Sequence, residues 1–165
     1  MIKKAQTIYN FNPHSDISPW QVIDDDVMGG KSSGNFDSNK KGHGVFHGKV
    51  SLKNNGGFSL LRYQFKKIKT VSYTKIVIYL KGDGKLYQFR IKAKATDYYS
   101  YISLFKTTNK WETIEIPLSE MYPAFRGRKL DMANYSNDGI EQIAFLIGNK
   151  KAEGFTLIID SITLK

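Results

Sequence analysis

The sequence predicts an all-β fold, a β-sandwich or jelly roll, and three observations support this prediction. Apolar and polar residues alternate with a period of two in 86–93 and 113–118, the spacing of a strand with one buried face. Glycine-rich or polar turn signals separate the apolar segments, at 54–57, 82–84, 137–139 and 151–154. No segment carries the apolar stripe of an amphipathic helix. About eight to ten short strands joined by turns are typical of a sandwich.

Individual segments refine this prediction. Residues 75–80 and 142–147 are almost continuously apolar, so we expect strands that are covered on both faces. In the last run, 155–164, the alternation changes phase near Asp160, which predicts a β-bulge. The chain of 165 residues contains no linker and no internal repeat, so we expect residues 1–165 to form one domain.

The composition excludes several classes of protein. The chain has no cysteine, which rules out disulfides and thiolate metal sites. No segment approaches the roughly 20 apolar residues of a membrane span, and the first residues lack the apolar region of a signal peptide. We therefore expect a soluble, cytoplasmic protein with no membrane span.

The net charge of +10 is concentrated in one segment. Residues 27–110 carry 17 lysines and arginines against three aspartates. Such a segment can attract nucleic acid or an acidic protein, but its lysines stand singly between apolar residues, which favours a solvated surface. Within it, Gln88, Arg90 and Lys92 alternate with apolar residues. We expect them to project from the polar side of one strand as a cationic cluster, flanked by the lysines at 81, 85 and 94.

The sequence does not predict an enzyme. Residues 30–34 match G-x-S-x-G, but they lie in a polar loop and not in the strand-to-helix turn that exposes a nucleophile. His43 and His47 would lie about 13 Å apart on a strand, too far to share a zinc ion. No nucleophile, base and orienting group occur in a recognisable pattern.

Three loops contain the strongest candidate binding residues. Asp25 and Asp26 precede a glycine pair, and such carboxylates can pair with arginine or hold Ca²⁺. Asn55 lies in a predicted hairpin turn, where its amide can bond a ligand or a neighbouring loop. Arg126 and Arg128 lie in a third loop, and their guanidinium groups suit a carboxylate or a phosphate. We expect the loops to converge at one end of the sandwich, with Asp25 or Asp26 paired with Arg126.

The same segments resemble the family of the complex I intermediate-associated protein 30. The resemblance rests on Trp20, on D-D-V-M-G-G at 25–30, on N-G-G-F at 55–58 and on F-R-G-R at 125–128. It implies a galactose-binding-like jelly roll and a non-enzymatic role, since the mitochondrial members assist the assembly of respiratory complex I. The chain begins without a transit segment, so we expect a bacterial member.

These observations predict a non-enzymatic binding domain that contacts a protein partner. One alternative is a carbohydrate-binding module, with an aromatic platform of Trp111, Tyr98, Tyr99 and Tyr101, and a second is binding of nucleic acid through the basic segment. We expect no cofactor, apart from a structural calcium ion that the carboxylate of Asp160 could bind at the bulge. The candidate binding residues are Asp25, Asp26, Asn55, Arg62, Asp83, Arg90, Lys92, Trp111, Arg126 and Arg128.

Overall fold

Two antiparallel sheets enclose a hydrophobic core in the computed structural model, which describes residues 4–25 and 30–165. This confirms the predicted all-β sandwich. The strands are β1 Gln6–Asn10, β2 Trp20–Asp24, β3 Ser33–Ser38, β4 Gly44–Val50, β5 Ser59–Lys69, β6 Lys75–Lys81, β7 Leu86–Lys92, β8 Ser100–Lys106, β9 Trp111–Pro117, β10 Tyr122–Phe125, β11 Arg128–Lys129, β12 Gly139–Ile147 and β13 Glu153–Leu164.

The order of the strands decides which loops can meet. The six-stranded sheet has the order β3–β4–β13–β6–β9, and β1 also pairs with β13. The seven-stranded sheet has the order β11–β10–β8–β7–β12–β5–β2, so that β11 and β2 form its opposite edges. Short 3-10 turns lie at Lys53–Asn55 and Leu118–Glu120. Within the described residues, no helical segment has the length and apolar character needed to cross a membrane.

The core consists of the side chains that alternate towards the opposite sheet. Ile76, Ile78 and Leu80 of β6 and Phe89 and Ile91 of β7 have no exposed surface. Burial of such apolar surface is the main force that holds the two sheets together. Because alternate residues of β7 point into the core, its remaining side chains must point to the opposite side of the sheet.

The predicted bulge at Asp160 is confirmed. The pairing of β13 with β6 shifts register between Ile159 and Ser161. The carbonyl oxygen of Asp160 accepts a hydrogen bond of 2.9 Å from the backbone N–H of Phe11, and its carboxylate lies 3.3 Å from Nε2 of His43. Among the described residues, no group of three or more histidine, cysteine, aspartate or glutamate side chains is placed to hold a metal ion. Calcium binding at Asp160 stays a prediction.

Candidate functional site

Asp25 connects two of the three loops that the sequence singles out. Its side chain is buried, with 1% of the residue exposed, at the end of β2. Oδ1 accepts a 2.9 Å bond from the Ser32 N–H, and Oδ2 accepts bonds from the Ser32 hydroxyl (2.5 Å) and from the N–H groups of Gly57 (2.5 Å) and Phe58 (3.2 Å). One carboxylate therefore fastens the acidic loop to the loop before β5. We call this group of bonds the Asp25 brace.

The electrostatics of the Asp25 brace favour the ionised carboxylate. Burial alone would raise the pKa of Asp25, but the hydrogen bonds from Ser32, Gly57 and Phe58 outweigh it and the pKa is lowered. The adjacent Asp24 has a similar role, since its carboxylate accepts bonds from the Gly34 N–H (2.9 Å) and the Ser59 hydroxyl (2.5 Å). Both carboxylates thus hold chain segments together.

Two glycines allow the backbone to come close to the Asp25 carboxylate. A Cβ atom at Gly30 would lie 2.3 Å from Cγ of Asp25, and one at Gly56 would lie 2.5 Å from its Oδ2. Neither position can hold a larger residue without moving the carboxylate. Gly30 and Gly56 are therefore explained by close approach to Asp25.

The predicted pair between Asp25 and Arg126 is wrong. Asp25 follows β2 at one edge of the seven-stranded sheet, whereas Arg126 lies between β10 and β11 at the other edge. Neighbouring strands are about 4.8 Å apart, so the width of the sheet exceeds the reach of an arginine side chain. Asp26, the other predicted partner, lies outside the described residues. The convergence of three loops reduces to a contact between two, the acidic loop and the loop containing Asn55.

Arg126 and Arg128 belong to a tight hairpin and not to a long loop. Arg126 has φ of 49° and Gly127 has φ of 78°, the positive values that a type I′ turn requires at both central positions. The guanidinium carbon of Arg126 lies 5.2 Å from the ring centroid of Phe125. Both arginines are exposed, and neither forms an ion pair within the described part of the chain.

Asp83 holds parts of the protein together through its hydrogen bonds. Its Oδ1 accepts a 3.0 Å bond from the Tyr87 hydroxyl, and its Oδ2 accepts a 2.8 Å bond from the N–H of Thr156 on β13. Burial, together with the charge of Asp83, raises the pKa of Tyr87 far above its ordinary value. The Asp83 carboxylate therefore anchors the β6–β7 connection to the six-stranded sheet.

The proposed aromatic platform does not form as one surface. Trp111 begins β9 of the six-stranded sheet and packs on Tyr79, with ring centroids 5.1 Å apart, and on His43, at 4.6 Å. Tyr101 is buried on β8 of the other sheet. Tyr98, which is 62% exposed, packs against Tyr99 at 5.1 Å and against Phe125 at 5.2 Å, and Tyr99 packs against Tyr101 at 5.6 Å. The three tyrosines therefore cluster as expected, but the inclusion of Trp111 in the same platform is wrong.

The seven-stranded sheet brings Arg62 and Arg90 together on the face that points away from the core, which we call the outer face. Cross-strand register aligns one residue from each of six strands. This row, which we call the arginine row, consists of Gln21, Arg62, Ala144, Arg90, Ile102 and Tyr122. Arg62 and Arg90 are both direct neighbours of Ala144, so their Cα atoms are about 10 Å apart.

A second row on the outer face is largely aliphatic. Register places five residues side by side, and we call them the leucine row: Ile23, Leu60, Leu146, Gln88 and Leu104. Leu104 is 51% exposed, whereas Leu146 is buried although it is not part of the core cluster. Ala144 and Ile102 of the arginine row are buried in the same way. Their burial shows that neighbouring side chains on this face cover them.

Arg90 is a partly buried cation of the outer face. Its Nε and Nη2 both donate to Oε1 of Gln88, at 2.9 and 2.7 Å, while Nε of Arg62 donates to Oε1 of Gln21 at 3.0 Å. Burial lowers the pKa of the Arg90 guanidinium, and the Tyr122 side chain opposes this shift. No ion pair among the described residues includes an arginine.

Lys92 lies close enough to both arginines to sense their charge. Burial and then repulsion from Arg62 lower its pKa, Asp97 acts in the opposite direction, and Arg90 adds to the lowering. Its Nζ donates a 2.8 Å bond to the carbonyl oxygen of Asp97. Projection of Gln88, Arg90 and Lys92 from one side of β7 is confirmed. Of the flanking lysines, however, Lys81 lies on β6 of the opposite sheet.

The comparisons with known proteins agree with this fold. The model of a protein family described as complex I intermediate-associated protein 30 matches residues 9–159. The chain belongs to this family. The complex I intermediate-associated protein 30 family was the one that the sequence motifs resembled, and that prediction is confirmed.

Several solved structures that are similar to the chain are carbohydrate-binding modules. The family 11 module of a cellulosomal cellulase from Clostridium thermocellum is 20% identical, with a TM-score of 0.74 over 99% of this chain and 95% of that one. The same family's module in complex with a β-1,3-1,4-mixed-linked tetrasaccharide gives a TM-score of 0.72, 20% identity and coverage of 97% and 94%. A family 29 module is 8% identical, with a TM-score of 0.55 over 98% and 87%. At these identities the similarity establishes the jelly-roll fold alone.

Within the complex I intermediate-associated protein 30 family motifs, the described residues are largely structural. Asp25, Gly30, Gly56 and Gly57 all belong to the Asp25 brace or contact it. The outer face, in contrast, includes residues that motif analysis passed over, above all Leu104, Ala144 and Tyr122. One signal was present in the sequence: in β8, apolar residues occupy both the inward and the outward positions.

Proposed function

We propose that this chain is a non-enzymatic binding domain that contacts a protein partner through the outer face of its seven-stranded sheet. The observation that carries the proposal is the combination of two rows on one surface. The leucine row offers apolar area, and the arginine row offers guanidinium groups that have no acidic neighbour within ion-pair distance among the described residues. Apolar cores with arginines are typical of protein interfaces. The family description, which refers to association with an intermediate of complex I, supports a protein as ligand.

The other predicted ligands fit this surface less well. The strands of the basic segment 27–110 are divided between both sheets, so its charge does not form one surface for nucleic acid. A carbohydrate is the second candidate, because the structural neighbours are carbohydrate-binding modules and because exposed Tyr98 packs with Phe125. Tyr122 is the one aromatic ring in the two rows, whereas sugar rings commonly stack on several.

Capture of partner proteins from cells that naturally produce the chain tests the proposal. Leu104→Asp places a charge in the leucine row and is expected to weaken capture at least about tenfold, as loss of an interface anchor does. The matched control is Val71→Asp, since Val71 is 75% exposed and lies in the turn after β5. Quantitative mass spectrometry is expected to identify proteins that wild type and Val71→Asp retain and that Leu104→Asp does not.

Two outcomes would contradict the proposal. Equal capture by Leu104→Asp and Val71→Asp would remove the outer face as the binding surface. Binding of the mixed-linked tetrasaccharide by wild type, with loss in Tyr98→Ala and no loss in Leu104→Asp, would replace the protein partner by the carbohydrate. Leu104→Asp and Val71→Asp must both retain the near-ultraviolet circular dichroism of wild type, which shows that they are folded.

A further inference from the structure

The outer face contains two neighbouring guanidinium groups whose charge no acidic side chain of the described residues neutralises. Ala144 has no exposed surface and lies between Arg62 and Arg90 in the arginine row. Its methyl group is the smallest side chain in that row, and longer neighbouring side chains cover it. Lys92 is close enough to add a third positive charge.

The hydrogen-bond donors of the two arginines are largely unused. A guanidinium group has five N–H donors. Arg90 directs Nε and one Nη2 hydrogen to Gln88, and Arg62 directs Nε to Gln21. No other acceptor contacts either group among the described residues. A half-buried guanidinium that has neither a counter-ion nor a full set of acceptors is costly to maintain, so its environment suggests a ligand that supplies both.

The chemistry of the surroundings distinguishes between anions. Nucleic acids are held by cations together with aromatic rings that stack on the bases, and the two rows contain Tyr122 alone. The strip next to the arginines is instead aliphatic, with Leu60, Leu146 and Leu104 in register. Carboxylates beside aliphatic side chains are the chemistry of an acidic protein segment, and a carboxylate can accept two parallel N–H bonds from one guanidinium.

We propose that the partner places a carboxylate of an acidic, leucine-bearing segment between Arg62 and Arg90, which both donate hydrogen bonds to it. This inference rests on the proposed function and specifies the group that the outer face recognises. The segment would place its apolar side chains on the leucine row, about 7 Å away from the carboxylate, since the two rows are two residues apart along each strand. Neutralisation of the arginines by the partner explains why the domain carries them without an internal acid.

Peptide titration with the full chain tests this inference. The probe is acetyl-Leu-Glu-Leu-Glu-Leu-amide, and its matched control has glutamine in place of both glutamates. The Nε–Hε resonances of Arg62 and Arg90 report binding by nuclear magnetic resonance. We expect saturable shifts with the glutamate peptide and an affinity at least about tenfold lower for the glutamine peptide, because charge-assisted hydrogen bonds are lost. Arg90→Gln and, on another strand, Arg62→Gln should each remove most of this preference.

The outcomes separate failure of the inference from failure of the proposed function. If Leu104→Asp abolishes partner capture but the two peptides bind alike, the carboxylate site is wrong and the binding surface stands. If neither peptide moves the arginine resonances and Leu104→Asp captures its partners normally, both proposals are wrong. If trigalacturonate or pentathymidylate shifts the arginine resonances and the glutamate peptide does not, an acidic protein segment is not the source of the anion.

Discussion

Replacement of Asp25 with alanine is expected to lower the free energy of unfolding by about 3–5 kcal/mol, as loss of one member of a buried charged network does. The substitution leaves the N–H groups of Ser32, Gly57 and Phe58 without the acceptor that the Asp25 brace provides. It also opens a void between two chain segments that approach closely only because of the carboxylate. Urea unfolding at pH 7 measures the effect.

The pH dependence of the free energy of unfolding should show that the ionised carboxylate of Asp25 is the stabilising species. The pKa of Asp25 is lower in the folded chain than its ordinary value of 3.8, so unfolded chains bind more protons near that pH. The stabilisation is fully present above pH 3.8 and is lost as the pH falls through the folded pKa. The stability difference between wild type and Asp25→Ala should therefore narrow only in strong acid. Asp131→Ala, at an exposed position, should change stability by no more than about 0.5 kcal/mol. A comparable effect of the two substitutions would refute the Asp25 brace.

Replacement of Arg90 with methionine should weaken partner capture without lowering the stability of the fold. We expect the free energy of unfolding to stay constant or to rise by about 1 kcal/mol, because a half-buried charge without a counter-ion is removed. The two hydrogen bonds of Arg90 go to Gln88 on the same strand and do not connect distant parts of the fold. Partner capture should nevertheless fall at least about tenfold, since the proposed function assigns Arg90 to the binding surface.

Arg128→Met provides the matched control for this trade-off. Arg128 is exposed in the β10–β11 hairpin, so its replacement should alter neither stability nor capture. Thermal unfolding and quantitative capture of the same preparations give both quantities. If Arg90→Met unfolds the chain while Arg128→Met does not, Arg90 is a structural residue and its place in the binding surface has to be abandoned.

Local periodicity predicted the strands well. The alternation at 86–93 corresponds to β7, and the change of phase near Asp160 corresponds to the bulge between β13 and β6. The apolar run at 142–147 is covered on both faces, as expected, because Ala144 and Leu146 are buried on the outer face. The run at 75–80 is not, since Tyr79 is 40% exposed on β6.

Topology limited what the sequence could predict of the site. The turn at 54–57 was expected to close a hairpin, but β4 and β5 belong to different sheets, and the turn is a crossing between them. Opposite charges made a pair of Asp25 with Arg126 plausible, yet strand order places the two at opposite edges of one sheet. Charge alone cannot predict contact, because backbone N–H groups can satisfy a carboxylate as well as an arginine can.

The cations of the outer face are a second example of residues that only the strand order brings together. Arg62, Arg90 and Lys92 were all candidate binding residues, but their proximity depends on β12 lying between β5 and β7. Ala144 lies in an apolar run that gives no hint of a site, and it becomes significant only because the sheet places it between two arginines. Register across strands that are distant in sequence, which no local pattern encodes, creates the site.

Photocrosslinking from the two sheets tests most directly the central claim that the outer face of the seven-stranded sheet contacts a protein. Benzoylphenylalanine is introduced in place of Leu104 or, as the matched position on the six-stranded sheet, in place of Tyr79, in cells that naturally produce the chain. Both side chains are exposed, by 51% and 40%. We predict a crosslinked protein product from position 104 that is absent from position 79. A product from position 79 alone, or none from position 104, would contradict the claim.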